Sequence, residues 1–327
     1  MFFPSAIVLG IAAILDALVG DPWSWPHPVQ LMGKAIALGT RLILKFTNSP
    51  LGQRLGGIAL ALTIVGGSAL VSNRIISIAR LVHPILGIGV ESILLASCFA
   101  GKSLRDAAVD VLTPLQAGEI ETARENLSKY VGRDTADLNE VEILRAVLET
   151  VAENAIDGVS APLFYAILGA LIPGLGSAPV AFAYKAASTL DSTIGYRELP
   201  YLYIGWFSAK LEDLLTWVPC RLTVITLSLF SGRPRQVWQV CQRDATADPS
   251  PNSGWSECVY AAILGVQLGG ENTYGGIVKV KPLLGDRIHP ITLESIHRAL
   301  SLTRWCFLVW LGLGIGIGWI VNNYRLI

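Results

Sequence analysis

Uncharged apolar runs of about 20 residues decide what this chain can fold into, because a helix of that length crosses the hydrocarbon core of a bilayer. Trp305 to Tyr324 carries no charge, and neither does Leu55 to Asn73, which Arg54 and Arg74 bracket. Phe2 to Val19 is apolar apart from Asp16, and Leu81 to Gly101 apart from Glu91. Gly158 to Tyr184 is uncharged but interrupted by Ile172-Pro173-Gly174 and Ser177-Ala178-Pro179, which predicts two shorter helical pieces. Tyr201 to Phe230 is apolar at both ends and holds Lys210, Glu212, Asp213 and Arg221 between them. Four to seven spans are expected. Charged residues make up 15% of the 327 residues, against about 25% in a soluble domain, and mean hydropathy is +0.52. The chain reads as one membrane-embedded domain, residues 1–327. No strand alternation persists, so the expected fold is all-α: a polytopic integral membrane helical bundle.

Several classes of function drop out. Basic and acidic residues are equal at 25 each, leaving no excess to neutralise a nucleic-acid backbone. The five cysteines are scattered, with no C-x-x-C pair and no Cys/His cluster at zinc spacing. The N-terminus is apolar from Phe2 without a basic flank or a small-residue cleavage site, which reads as a retained helix.

Two longer polar segments remain. Residues 102–157 hold six basic and twelve acidic residues, and 233–304 hold eight and six. The four Lys/Arg of residues 21–54 place that stretch in the cytoplasm, and counting spans puts both polar segments on the same side. The expected location is the inner cell membrane, with a site facing the compartment that contains ATP.

In the first polar segment Asp137 and Glu140 fit a capping pattern opening a helix, with Val141, Leu144, Leu148, Val151 and Ala155 as its apolar stripe. Arg145, Glu149, Glu153 and Asp157 recur every four residues beside it. Three carboxylates in a row repel one another unless a cation sits among them. The row reads either as a Mg²⁺ or Mg-nucleotide site, with Asn154 beside it, or as a solvated helix face. In Tyr184 to Arg197, Lys185 and Asp191 follow an apolar run and are expensive in lipid, so they face a cavity or each other. In Arg243 to Trp255, Asp244, Asp248, Pro249, Pro251, Asn252 and Gly254 predict a shaped, non-helical loop rich in donors and acceptors. Gly20 to Val29, with Asp21 and His27 among three prolines and two tryptophans, predicts a rigid interfacial loop. Its histidine is either an acid/base group or a structural hydrogen bond. Ala96 to Ser103 imitates a phosphate loop around Lys102, but it ends an apolar helical span and contains one glycine, so it reads as coincidence.

Together these segments resemble the CobD/CbiB family of cobalamin biosynthesis. The residues that carry the resemblance are Gly20-Asp21-Pro22 with Pro26-His27-Pro28-Val29, Gly132-Arg133-Asp134, Glu149 through Asn154 to Asp157-Gly158, and Tyr184-Lys185 through Thr189-Leu190-Asp191. Arg243-Asp244, Ser250 to Trp255, Leu268-Gly269-Gly270 and Tyr274-Gly275-Gly276 complete them. The resemblance implies an acid–amine ligase, an adenosylcobinamide-phosphate synthase. Its substrates would be adenosylcobyric acid and aminopropanol or its O-phosphate, with ATP and Mg²⁺ driving the amide bond. It implies Glu153, Asp157, Asp191 and Asp248 as catalytic carboxylates, the first three also as metal ligands. Asp21, His27, Arg133, Asp134, Asn154, Lys185, Arg243, Asp244, Asn252 and Trp255 would contact substrate or nucleotide. The alternatives are a polytopic transporter, with Asp16, Glu91, Asp191 and Glu212 on an intramembrane path, and a non-catalytic scaffold for other corrinoid-pathway enzymes.

Overall fold

A computed structural model of the protein describes residues 2–20 and 27–324. In chain order the helices are α1 (Phe2–Leu18), α2 (Pro28–Phe46), α3 (Pro50–Val82), α4 (Pro84–Ala96), α5 (Gly101–Gln116), α6 (Ile120–Ser128) and α7 (Glu140–Asn154). After a π-helical segment, Ala155–Ser160, come α8 (Ala161–Leu171), α9 (Ser177–Ile194), α10 (Tyr201–Ile204), α11 (Trp206–Phe230), α12 (Pro234–Asp244) and α13 (Ser253–Leu264). Strands β1 (Leu268–Tyr274) and β2 (Ile277–Leu284) precede α14 (Leu293–Tyr324). Among the described residues, five helical stretches are long and apolar enough to cross a membrane: Pro50–Val82, Pro84–Gln116, Glu140–Leu171, Trp206–Phe230 and Leu293–Val321. Ser5–Leu18 is a shorter apolar helix. The protein is an all-α multi-pass membrane protein, with one small hairpin that the sequence reading did not include.

The chain divides into two compact units. The first comprises Met1–Ala100, Ala161–Thr216 and Val309–Ile327, the second Gly101–Ser160 and Trp217–Leu308. Both polar segments fall in the second.

In the first unit, α2, α3 and α4 each open on a proline behind a capping side chain. Nδ1 of His27 accepts from Val29 N at 3.3 Å, Oγ of Ser49 from Gly52 N at 3.0 Å, and Nδ1 of His83 from Ile85 N at 3.2 Å. Proline suits the first helical position, whose N–H would have no intrahelical partner. Two of the three His-Pro pairs are therefore helix starts. Ile36, Ala61, Leu190 and Ile194 form a buried cluster joining α2, α3 and α9. Leu55, Leu62, Leu70 and Val71 of α3 are exposed, as expected where lipid is the solvent. The break between α8 and α9 falls where the sequence predicts it, with Gly174 and Gly176 in left-handed backbone conformations.

In the second unit the start of α7 differs from expectation. Its N-cap is Asn139, with Glu142 completing a reciprocal capping box. Asp137-x-x-Glu140 and Asn139-x-x-Glu142 fit the same pattern, and the helix takes the later one. Val141 is consequently exposed, whereas Ile143, Leu144, Val147, Leu148 and Val151 are buried. The π segment adds residues to one turn, so Asp157 leaves the line of Glu149 and Glu153. The loop expected from Arg243 to Trp255 is shorter than predicted. Arg243 and Asp244 end α12, a 3₁₀ turn covers Ala245–Ala247, and Gly254 and Trp255 lie inside α13. Gly254 sits where a Cβ would come within 2.4 Å of the Ala245 carbonyl oxygen, so its role is close packing.

Gly57 tests the packing of the first unit. A Cβ there would lie 2.0 Å from the carbonyl oxygen of Ile204. Gly57→Ala is expected to destabilise the protein by about 1–3 kcal/mol through forced separation of α3 and α10. An unchanged thermal midpoint in detergent would count against this contact.

Candidate functional site

The second unit contains a buried charged network built from segments that are far apart in sequence. Its centre is Glu149 on α7, whose side chain is 2% exposed. Oε2 accepts from Arg133 Nη2, and Oε1 accepts from Arg145 Nη1 at 3.3 Å and from the backbone N–H of Gly269 at 3.0 Å. Arg133 is itself buried and donates through Nη1 to Asn272 Oδ1 at 2.7 Å. Arg145 donates to the carbonyls of Gly269 at 2.5 Å and Glu271 at 2.9 Å. Asp134 accepts from the backbone N–H groups of Gly275 and Gly276 at 3.0 and 2.8 Å, and its own N–H donates to Thr273 O at 2.8 Å. A buried carboxylate without such donors would be strongly destabilising. The Gly132-Arg133-Asp134 segment, Glu149 and the two diglycines thus form one brace that fastens the hairpin to α7.

The turn end of the hairpin is exposed and its base is buried. β1 and β2 pair antiparallel, with Asn272 opposite Lys279 and Gly270 opposite Lys281. Ile277, Val278, Lys279 and Val280 at the start of β2 are all exposed, and Lys281 is half-buried. Lys281 donates to Oε1 of Glu257 on α13 at 3.3 Å. Glu257 is fully buried, and its Oε2 has no hydrogen-bond partner among the described residues. Burial pushes the Glu257 carboxyl up to about 8, with Lys281 opposing the rise and the nearby Glu149 and Glu153 adding to it. The cation demanded by the acidic row is therefore supplied in part by the protein: Arg133 and Arg145 at Glu149, and Lys281 nearby.

The remaining candidates sort as follows. Glu153 is exposed near the end of α7, Asn154 is exposed and donates to Thr150 O at 2.9 Å, and Asp157 is half-buried in the π segment. Asp248 accepts from Ser250 N at 2.8 Å, which shapes the loop before α13. Arg243 makes a two-pronged pair with Asp244 at 2.6 and 2.7 Å and reaches Asp286 at 2.8 Å. Asp244 also accepts from Gly285 N at 2.9 Å, and the Arg243 guanidinium holds its carboxyl below the usual range. Arg221 donates to Pro251 O at 2.7 Å and Asn252 Oδ1 at 3.3 Å while lying 4.6 Å from the Trp255 ring centroid. Asn252 and Trp255 are themselves buried.

His27, Lys185 and Asp191 belong to the first unit. Lys185 and Asp191 are half-buried on α9, and six residues turn a helix by about 240°, so they occupy different faces of it. Asp21 lies outside the described residues. Buried charge in the first unit has protein partners as well: Arg80 pairs with Glu91, and Thr216 donates to Glu212.

Among the described residues, no three His, Cys, Asp or Glu side chains are grouped to hold a metal ion. A cage made only of protein ligands does not fit. Mg²⁺ arriving on nucleotide phosphates needs one or two carboxylates, and the exposed Glu153 suits that donor set.

Sequence reasoning missed Glu257, Lys281 and Asn272. A lone acid in the apolar helix Ser253–Leu264 was a readable signal. So was Gly275-Gly276 between two short runs, a hairpin turn signature.

The raised Glu257 carboxyl fixes the sign of a pH effect. Between the ordinary carboxyl pKa, about 4.3, and about 8, the folded state binds more protons than the unfolded state. Stability therefore falls as pH rises through that window. Glu257→Gln is expected to flatten the slope, as read from thermal midpoints across the window. An identical slope in the variant would assign the effect elsewhere.

The CobD/CbiB protein family model matches residues 9–303. The cobalamin biosynthesis protein CobD of Synechocystis sp. is 53% identical over 313 residues, covering 96% of this chain and 92% of that protein. CobD of Klebsiella pneumoniae is 39% identical over 317 residues, covering 95% and 97%. The cobalamin biosynthesis protein CbiB of Salmonella typhimurium is 39% identical over 296 residues, covering 89% and 91%. No solved structure matches the chain. The residues that interlock around Glu149 thus sit inside a match that runs through nearly the whole sequence, and the chain belongs to the CobD/CbiB family of cobalamin biosynthesis proteins.

Proposed function

We propose that this chain is the ligase that joins the free propionate of adenosylcobyric acid to aminopropanol or its O-phosphate, using ATP and Mg²⁺. The observation that carries the reading is the interlock of Gly132-Arg133-Asp134, Glu149, Gly269 and Gly275-Gly276, motifs that the resemblance singled out and that bond to one another in the second unit. A carboxylate is a poor acyl donor. In the proposed reaction its oxygen attacks the terminal phosphorus of ATP, ADP leaves, and an acyl phosphate forms. The amine nitrogen then attacks the acyl carbon, phosphate departs, and the amine proton passes to a base. Mg²⁺, when bound with the nucleotide, would neutralise charge on the phosphates.

This chain's residues divide the remaining work. Glu149, Arg133 and Arg145 hold the hairpin in place and act as positioning residues. Glu153 is the exposed carboxylate at the end of α7, able to receive the amine proton or to join the metal's shell. Lys102, in the first turn of α5, pairs with Asp106 four residues on and is not a phosphate ligand in this scheme. In the transporter alternative the charges of the first unit would line a path, but Glu91 is paired with Arg80, so nothing specific favours it.

Purified protein given adenosylcobyric acid, ATP, Mg²⁺ and aminopropanol phosphate is expected to form amide and ADP in equal amounts. Absence of product with either amine, in folded protein, would overturn the ligase reading. Glu153→Gln is expected to lower turnover by well over about tenfold and raise the Mg²⁺ requirement. Near-normal turnover at limiting Mg²⁺ would make that carboxylate structural.

Orientation is part of the same reading: both polar segments face the cytoplasm of the inner membrane, following the Lys/Arg distribution. Glu125→Cys, at an exposed position of α6, is expected to resist an impermeant thiol reagent in intact cells and to react after lysis. Labelling in intact cells would reverse the topology.

A further inference from the structure

In the second unit a cavity of about 180 Å³ opens among the start of α12, the end of α13 and the segment leading into α14. Its polar wall is Arg233, Gln236, Asp286, His289 and Arg298. All five are exposed, so a small solute can reach it. Its volume is below the roughly 300–1,000 Å³ of pockets for drug-sized ligands, which points to something smaller than a nucleotide or a macrocycle.

The charge on that wall is unbalanced. Asp286, its one carboxylate, is already bound by Arg243 Nη2 at 2.8 Å. Among the described residues, Arg233 and Arg298 form no ion pair and no side-chain hydrogen bond. Two unpaired guanidiniums lining one concavity repel each other, and a shared anion removes that repulsion. The backbone adds to the field. Arg233 is the N-cap of α12 and no side chain caps that helix start; Pro234 has no N–H and the Arg233 N–H donates to Ser231 Oγ at 3.0 Å, so the N–H groups of Arg235 and Gln236 and the positive end of the dipole remain available. At the opposite wall, the Gly265 carbonyl that would repel an anion is occupied, accepting from Ile288 N at 3.1 Å and His289 N at 2.8 Å.

We propose that this cavity binds a phosphate monoester group or inorganic phosphate, held by Arg233 and Arg298 with His289 alongside. Guanidiniums match phosphate oxygens two at a time, which surface lysines would not do. The site shares no residue with the network around Glu149, and the proposal does not depend on the ligase reading. The same chemistry fits a free ion and a lipid headgroup, and the two sources are separable by experiment.

Full-length protein in phosphatidylcholine nanodiscs would be titrated calorimetrically with inorganic phosphate. A second arm would measure retention of phosphatidic acid in mixed nanodiscs by native mass spectrometry. Saturable binding of either probe is expected, weakened at least about tenfold, or 1.4 kcal/mol, in the double variant Arg233→Gln/Arg298→Gln at an unchanged thermal midpoint. Binding of inorganic phosphate identifies a soluble ligand, and binding of phosphatidic acid alone identifies a headgroup. Should the double variant unfold, Gln236→Glu, which places a carboxylate on the wall and keeps both arginines, must show the same loss. Failure of both probes to saturate, or wild-type affinity in the folded variants, would overturn the proposal.

Discussion

The second unit depends on one desolvated carboxylate. Glu149 is buried almost completely, and three donors from three segments converge on it: Arg133, Arg145 and the Gly269 amide. Removing one partner from a buried pair typically costs about 3–5 kcal/mol, because the other charge is left uncompensated. Such a centre tolerates little displacement of its parts. It fixes where the segment before α7 runs and where β1 begins. Through Asp134 it also fixes where the hairpin turns. The glycines serve the same geometry: a Cβ at Gly269 would come within 1.9 Å of the Pro282 carbonyl oxygen.

The base of the hairpin is buried through Leu268 and Leu284, while Ile277 to Val280 near the turn are exposed. Lys281, between the two, reaches the buried acid Glu257 on α13. That acid is incompletely balanced, with one oxygen on Lys281 and the other unsatisfied. Burial holds the Glu257 carboxyl above the usual carboxylate range. Its environment is thereby tied to pH.

Much of the architecture was legible in the sequence because the signals for it are local. An uncharged run announces a span without reference to the rest of the chain, and the proline–glycine break between α8 and α9 announces its own position. The capping signal at α7 was readable but degenerate, since residues 137 and 139 both satisfy it, and burial of Ile143 and Val147 favours the later start. The π segment left no local trace; it becomes visible only when the helix is followed from end to end, and it is what takes Asp157 out of the charge row. The hairpin escaped because only its two ends, Leu268 and Leu284, are buried apolar positions, while Ile277, Val278 and Val280 near the turn are exposed and leave no alternating pattern. At the site, the motif residues were recognisable, but their tasks were not. The resemblance implies Arg133 and Asp134 as ligand contacts, and what it did not reveal is that they also brace a hairpin 139 to 142 positions later in the chain.

That separation bears on how the protein is made. Arg133 leaves the ribosome long before Asn272, 139 residues further on. At a synthesis rate of about 5–20 residues per second, the interval is roughly 7–28 s. During that time Arg133, Glu149 and Arg145 can already meet, but the strand that closes over them does not yet exist. Until β1 is made, Arg133 lacks its Asn272 partner and Glu149 lacks the Gly269 amide. A chain truncated before β1 would leave Arg133, Arg145 and Glu149 without the partners that β1 supplies.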